Sequence, residues 1–200
     1  MKKVGYILII IGISIISFYN AYKYMQDKKE EIRVEEYIEV TSKEDNEEIL
    51  KTEELTEEQP KTNSSIDYKA IIEIPSINLK RGIVDSTDNF KSINYSISAD
   101  KNGNYPNEYG NLILYAHSGS GYIAFFNNLS KVNINDDIYI YFNGIKYHYI
   151  ITSKYDIEKT GKAKINISTK DKYITLITCD QSNKKYQIVV SGKYVDESTY

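Results

Sequence analysis

Two hundred residues suffice for one domain with appendages, and the net charge of −3 is spread unevenly along them. Residues 26–60 carry 14 of the 28 acidic residues but only 5 of the 25 basic ones, whereas residues 61–200 carry 14 acids and 17 bases. The single cysteine excludes an intramolecular disulfide, the two histidines confine imidazole chemistry to His117 or His148, and no basic tract interleaved with aromatics points to nucleic acid.

The chain begins with an uncharged run, residues 4–22, between Lys3 and Lys23. Its 19 residues match a hydrocarbon core of about 30 Å at about 1.5 Å per residue. At its end, Ser17-Phe18-Tyr19-Asn20-Ala21-Tyr22 is a poor match to the small-residue site of a cleaved signal peptide. Tyr19, Tyr22 and Tyr24 instead suit an interfacial aromatic belt. Residues 1–25 are therefore expected to form an uncleaved transmembrane anchor. Lysines flank both sides, so the positive-inside count is ambiguous; the short leading tail favours a cytoplasmic N-terminus and an exported remainder. Residues 26–65, rich in Glu and Lys with little to bury, read as an acidic flexible stalk, helical at most transiently over 30–39.

Residues 66–200 read as one mainly β domain, in which short β-branched and aromatic runs alternate with turn residues. Strands are expected at 69–74, 111–116, 137–142, 145–152, 172–178 and 186–195. Asn143-Gly144 forms a two-residue hairpin turn, because that pair accepts positive φ. Helical character is expected only over 122–129. Many short strands in one domain suggest a closed or nearly closed barrel, with a sandwich as the alternative.

Cys179 ends the apolar run Tyr173-Ile174-Thr175-Leu176-Ile177-Thr178 and is followed at once by Asp180, Gln181, Ser182 and Asn183. A thiol there is open to substrate and to activation by an imidazole. The competing reading is a small core residue. His117 stands in the same kind of place, after Leu112-Ile113-Leu114-Tyr115-Ala116 and before Ser118-Gly119-Ser120-Gly121. Strand ends of a barrel converge on a rim, so the two can be neighbours across the intervening chain. His148 alternates with Tyr147 and Tyr149 and shares a face with Lys146, which makes it a surface strand residue. One cysteine with one rim histidine points to nucleophilic acyl transfer and falls short of a zinc ligand set. Asp156 and Glu158 read as solvated carboxylates and not as a calcium site.

Thr175-Leu176-Ile177-Thr178-Cys179 resembles the T-L-x-T-C signature of sortases, and Tyr115-Ala116-His117-Ser118-Gly119 resembles their histidine segment. Phe125-Phe126-Asn127-Asn128-Leu129 and Ile72-Glu73-Ile74-Pro75-Ser76-Ile77 are similar to further family segments, in family order. The class is left open, a class D-like member being one reading. The resemblance implies an eight-stranded β-barrel with one or two short helices, on the surface of a Gram-positive bacterium and working without cofactor or metal. It implies cleavage of an LPxTG-like motif between Thr and Gly, with the acyl group held on Cys179 and passed to an amine of cell-wall precursor or pilin. Surface proteins with C-terminal sorting signals would be the partners. His117 would move the protons, and Thr178 would line the substrate groove.

The sequence departs from the family at one position. Where the family places an arginine on the strand after the cysteine, the alignment of Tyr186-Gln187-Ile188-Val189-Val190-Ser191-Gly192 puts Gln187. An amide can donate to an oxyanion but brings no charge. The loss relative to a charged donor is about 1–2 kcal/mol. Lys185, two residues earlier, would restore a charge if the strand begins early enough. An impaired module that binds sorting peptides and a hydrolytic cysteine peptidase are the alternatives to an active transpeptidase.

Overall fold

The computed structural model describes residues 2–47, 67–87 and 91–200. Helix α1 (Lys2–Glu47) precedes β1 (Ala70–Ile74), β2 (Leu79–Asp85), β3 (Ile97–Ala99) and β4 (Gly110–Tyr115). Then come β5 (Asp137–Phe142), β6 (Ile145–Glu158), β7 (Lys172–Cys179) and β8 (Tyr186–Thr199). The eight strands close into a barrel in the order β1-β2-β3-β4-β7-β8-β6-β5, so the sandwich is set aside. Neighbours are antiparallel except β2 with β3 and β4 with β7.

Alternation along the strands makes the core. Leu112 and Leu114 of β4, Ile174 and Leu176 of β7, and Tyr147, Tyr149 and Ile151 of β6 point into the barrel with Ile188 and Val190 of β8. Asn143 and Gly144 adopt φ of 49° and 73° and join β5 to β6, as that pair predicts. The runs of β4 and β7 are apolar on both faces because both faces are covered. Outside the barrel, Ile113, Ile177 and Val189 form a second cluster under Tyr155, Ile157, Ala163 and Ile165.

Three features differ from expectation. First, residues 122–129 form turns and no α-helix; only Leu129–Lys131 makes one 3₁₀ turn. The Phe126 amide donates to the His117 carbonyl at 3.0 Å, which ties this segment to the end of β4 and not to its own preceding turn. Second, β2 and β3 were not anticipated, and β6 and β8 run on to Glu158 and Thr199 by pairing with each other.

Third, α1 does not end where the stalk was expected to begin. It continues to Glu47 and lies along β2, while residues 48–65 of that expected stalk fall outside the described residues. Asp27, Glu30, Val34, Tyr37 and Thr41 recur at helical spacing and face the barrel. Asp27 Oδ1 lies 2.8 Å from Arg81 Nη2. Glu30 accepts from the Tyr68 hydroxyl at 2.6 Å and from the Gly82 amide at 3.2 Å. Tyr37 donates to the Lys69 carbonyl at 2.8 Å, and the Thr41 and Tyr200 hydroxyls are 2.7 Å apart. Val34, 3% exposed, packs among Tyr68, Ile71, Val84 and Tyr141. The Tyr68 ring lies so close over Gly82 that a Cβ there would sit 2.3 Å from it. Burial raises the Tyr68 phenol's pKa, with the Glu30 carboxylate adding to the rise. By contrast the first turns of α1 expose Leu8, Ile9, Ile10, Ile13, Ile16 and Phe18, an apolar surface on every side of a helix long and apolar enough to cross a membrane.

Val34→Asp should lift α1 off the barrel. It forfeits about 1.5–3 kcal/mol of burial and strands a carboxylate among apolar groups. The expected result is a melting midpoint lowered by roughly 5 °C or more in detergent, together with new protease cleavage within residues 27–41.

Candidate active site

The rim at the C-terminal ends of β4 and β7 is assembled by register. Tyr115 pairs with Ile177 in the parallel β4–β7 ladder, and two further residues set His117 opposite Cys179. The ladder closes with the Ala116 amide donating to the Ile177 carbonyl at 3.4 Å. The buried Thr178 hydroxyl donates to the Ala116 carbonyl at 2.8 Å. On the other side of β7, Cys179 pairs with Gln187 of β8. Ile113, Tyr115, Ile177 and Val189 occupy the outer face, so alternation places His117, Cys179 and Gln187 on that face too, in one row across three strands.

Cys179 is half-buried, which excludes the reading of it as a core residue. It borders a cleft of about 320 Å³ whose walls include Ser118, Asn127, Thr178, Gln181 and Ser182. His117 and Gln187 stand outside those walls. The His117 ring is held by Asn94, its Nε2 3.2 Å from Asn94 Oδ1, and no hydrogen bond joins it to the thiol. Such bonds are commonly long or absent before substrate arrives. Asn94 closes the 3₁₀ turn Lys91–Asn94, a position no sequence pattern singled out.

The two loops that flank the cleft are tied together. Ser118 Oγ donates to the Cys179 carbonyl. Asn127 Oδ1 accepts from the Gly119 amide at 3.3 Å and from Gln181 Nε2 at 2.5 Å, and the Asn127 carbonyl takes a second bond from Gln181 at 2.9 Å. Asn127 therefore joins the loop after the histidine to the loop after the cysteine. Beside the thiol, Asp180 accepts from the Ser182 hydroxyl and amide at 2.8 Å each, which holds its carboxyl below the usual range.

The other candidates are sorted by position. Lys185 lies in the exposed turn between β7 and β8, because β8 begins only at Tyr186. The strand thus does not start early enough to aim Lys185 along the Gln187 face. Arg81 contacts Asp27, and Arg33 contacts Glu30, so both arginines are engaged at α1. His148 is less of a surface residue than expected. Its side chain is 18% exposed, with Nε2 2.7 Å from Asp137, Nδ1 3.4 Å from Asp196, and its ring stacked on Tyr139. It pairs with Asp196, nine residues beyond Gln187 along β8, or roughly 30 Å away at about 3.3 Å per residue. Among the described residues no cluster of His, Cys, Asp or Glu could hold a metal ion.

A half-buried thiol in register with an imidazole and an amide donor, on the outer face of a closed barrel, defines a site suited to cysteine acyl transfer. The sortase-domain family model matches residues 72–195, and the chain belongs to the sortase family, whose members are cysteine transpeptidases. It is 28% identical over 139 residues to sortase A of Bacillus anthracis, a match covering 66% of this chain and 64% of that relative's length. A Clostridium perfringens sortase D5 transpeptidase superposes with a TM-score of 0.58 at 22% identity, over 65% of this chain and 80% of that one. Sortase A of Listeria monocytogenes gives 0.58 at 24% identity, over 66% and 90% respectively.

Asn127→Ala removes the shared side-chain acceptor between the two loops. With about 1 kcal/mol per net hydrogen bond, amide exchange over 118–121 and 180–183 should quicken about fivefold or more. Exchange in β5 and β6 should be unchanged, and uniform quickening would mean global destabilisation instead.

Proposed function

We propose that this chain is a membrane-anchored sortase that cleaves an LPxTG-like sorting motif through a thioacyl intermediate on Cys179 and transfers the protein to an amine of cell wall or pilin. The observation that carries the reading is the row His117–Cys179–Gln187 across β4, β7 and β8. The Cys179 thiolate attacks the carbonyl carbon of the motif's threonine, and the Thr–Gly C–N bond breaks. The departing glycine amine takes a proton from the His117 imidazolium. An incoming amine then attacks the thioester, its proton passes to His117, and the C–S bond breaks to restore the thiolate. The thioester conserves the peptide-bond energy, so no nucleotide is needed.

Gln187 faces the oxyanion as a neutral donor from the strand beside the nucleophile. Thr178 lines the cleft with its hydroxyl bound to the Ala116 carbonyl. The apolar first turns of α1 support anchorage in a membrane, with the barrel on the extracellular side. The absence of an arginine near the thiol favours a second reading, a silent module that binds sorting peptides without cleaving them.

Incubation with an LPxTG peptide and mass spectrometry separates the two. An active enzyme gains the mass of the acyl fragment on Cys179, and adding an amine discharges it to a ligated product. Cys179→Ala should lose the adduct entirely, and cleavage surviving above about 1% would show that another group is the nucleophile. No adduct from the unaltered protein, with peptide binding retained, would favour the silent module.

The donors are tested by rate. Gln187→Ala should slow acylation about 10–100-fold with a smaller effect on peptide affinity, since the donor acts on charge that appears during reaction. Gln187→Arg should hold or raise the rate. A large loss in Lys185→Ala with Gln187→Ala silent would move the charge to the turn lysine. His117→Ala should cost nearly as much as Cys179→Ala, whereas His148→Ala should change the rate less than about threefold.

A further inference from the structure

We infer that α1 holds the cysteine end of the barrel against the bilayer, so that the loop around Tyr122 and the turns bearing Lys159 and Lys184 meet an anionic headgroup surface; this placement rests on α1 being the membrane anchor. Strand direction fixes the orientation. Going along α1 away from its apolar turns, Asp27 meets Arg81, Tyr37 meets Lys69 at the start of β1, and Thr41 meets Tyr200 just beyond β8. Lys69 donates its amide to Ile83 of β2, further along that strand than Arg81, so β2 runs away from the apolar turns as α1 does. β3 is parallel to β2, β4 is antiparallel to β3, and β7 is parallel to β4. Both β4 and β7 therefore run back toward the apolar turns and deliver His117 and Cys179 at the near end. β8 leaves from that end, which is why Tyr200 lies at the far one.

A second set of contacts reaches the same placement independently. Tyr19 donates to the Ser120 carbonyl at 3.0 Å, and the Tyr22 and Tyr122 rings meet edge to face with centroids 6.1 Å apart. Tyr19 and Tyr22 close the uncharged run, so the loop after the histidine stands at the level of the interfacial aromatics. Tyr122 is itself 52% exposed.

The charge at this end matches the partner. The Lys159 amide donates to the Lys185 carbonyl at 2.9 Å, which sets the ends of the β6 and β7–β8 turns side by side. Lys159, Lys162, Lys164, Lys184 and Lys185 are all exposed there and outnumber Asp156, Glu158 and Asp180. Basic side chains at this distance are drawn to anionic lipid. The consequence is a cleft that opens beside the headgroups, within reach of a substrate segment that is itself close to the membrane.

The depth of the two barrel ends can be measured on the full chain in phosphatidylglycerol-containing vesicles. With Cys179→Ala as background, Thr160→Cys places a donor fluorophore at the cysteine end and Ser198→Cys places one at the opposite end. Both positions are exposed. Energy transfer to acceptor-labelled headgroups should be the stronger from Thr160→Cys. The helical offset of 19 positions from Tyr22 to Thr41 implies a depth difference of roughly 28 Å at about 1.5 Å per residue. Equal transfer, or stronger transfer from Ser198→Cys, in protein that floats with the vesicles would overturn the orientation and leave the anchor standing. Protein that fails to float would remove the anchor and the orientation with it.

Discussion

The parallel ladder between β4 and β7 is the constraint on which the site depends. His117 and Cys179 are 62 residues apart in the chain, and neither has any local reason to approach the other. The Tyr115–Ile177 pair, the Ala116 amide and the Thr178 hydroxyl fix two strand ends at one level, and the histidine and the cysteine are simply the next residues out. Parallel strands need covered faces and a long connection. Here the inner face is the barrel core, and the outer face is roofed by Tyr155, Ile157, Ala163 and Ile165. Along β7 the apolar outer row of Ile177 leads to Cys179, which is only half-buried.

Antiparallel pairing on the other side of β7 adds the third member. Because β8 returns directly beside β7, the residue opposite Cys179 shares its face, and in this chain that residue is Gln187. A glutamine there has the reach and the N–H of a donor without the charge. The chain holds two arginines. Arg33 pairs with Glu30 within α1 and Arg81 of β2 pairs with Asp27 of α1, so neither supplies charge at the rim. Gly192, further along β8, has Ile174 and the Ile150 carbonyl so near that a Cβ would meet them at 2.9 and 3.1 Å. The strand is thus pressed between β6 and β7, which holds the register that puts Gln187 at its position.

The helix links chemistry to location. α1 is apolar all round in its first turns, and the next part carries Asp27, Glu30, Val34, Tyr37 and Thr41 in a single stripe against β1, β2 and the chain end. Within the described residues α1 lies directly against the barrel, so the direction of the strands fixes where the candidate site stands relative to the helix.

Much of this was legible in the sequence. The Asn143-Gly144 turn, the alternation of Tyr147, Tyr149 and Ile151, and the apolar runs ending in His117 and Cys179 each depend on local periodicity, which a chain displays without folding. The stripe on α1 was also present at helical spacing, but averaging composition over 26–65 hid Val34 and Tyr37 among their acidic neighbours. The remaining features belong to tertiary structure. Residues 122–129 have helical composition, yet the Phe126 amide is taken by the His117 carbonyl, a bond set by the barrel. β3 is too short to announce itself and exists because β2 and β4 lie on either side of it. Asn94 reaches His117, and Asn127 joins two loops, only because distant segments converge at one rim. Sequence by itself determined the candidate groups and the strands β4, β7 and β8 that lead to them, since both are encoded by neighbours along the chain. Which groups face each other, what orients them, and which way the cleft points were decided by closure of the barrel, because register and strand direction are properties of pairs of strands and not of any one of them.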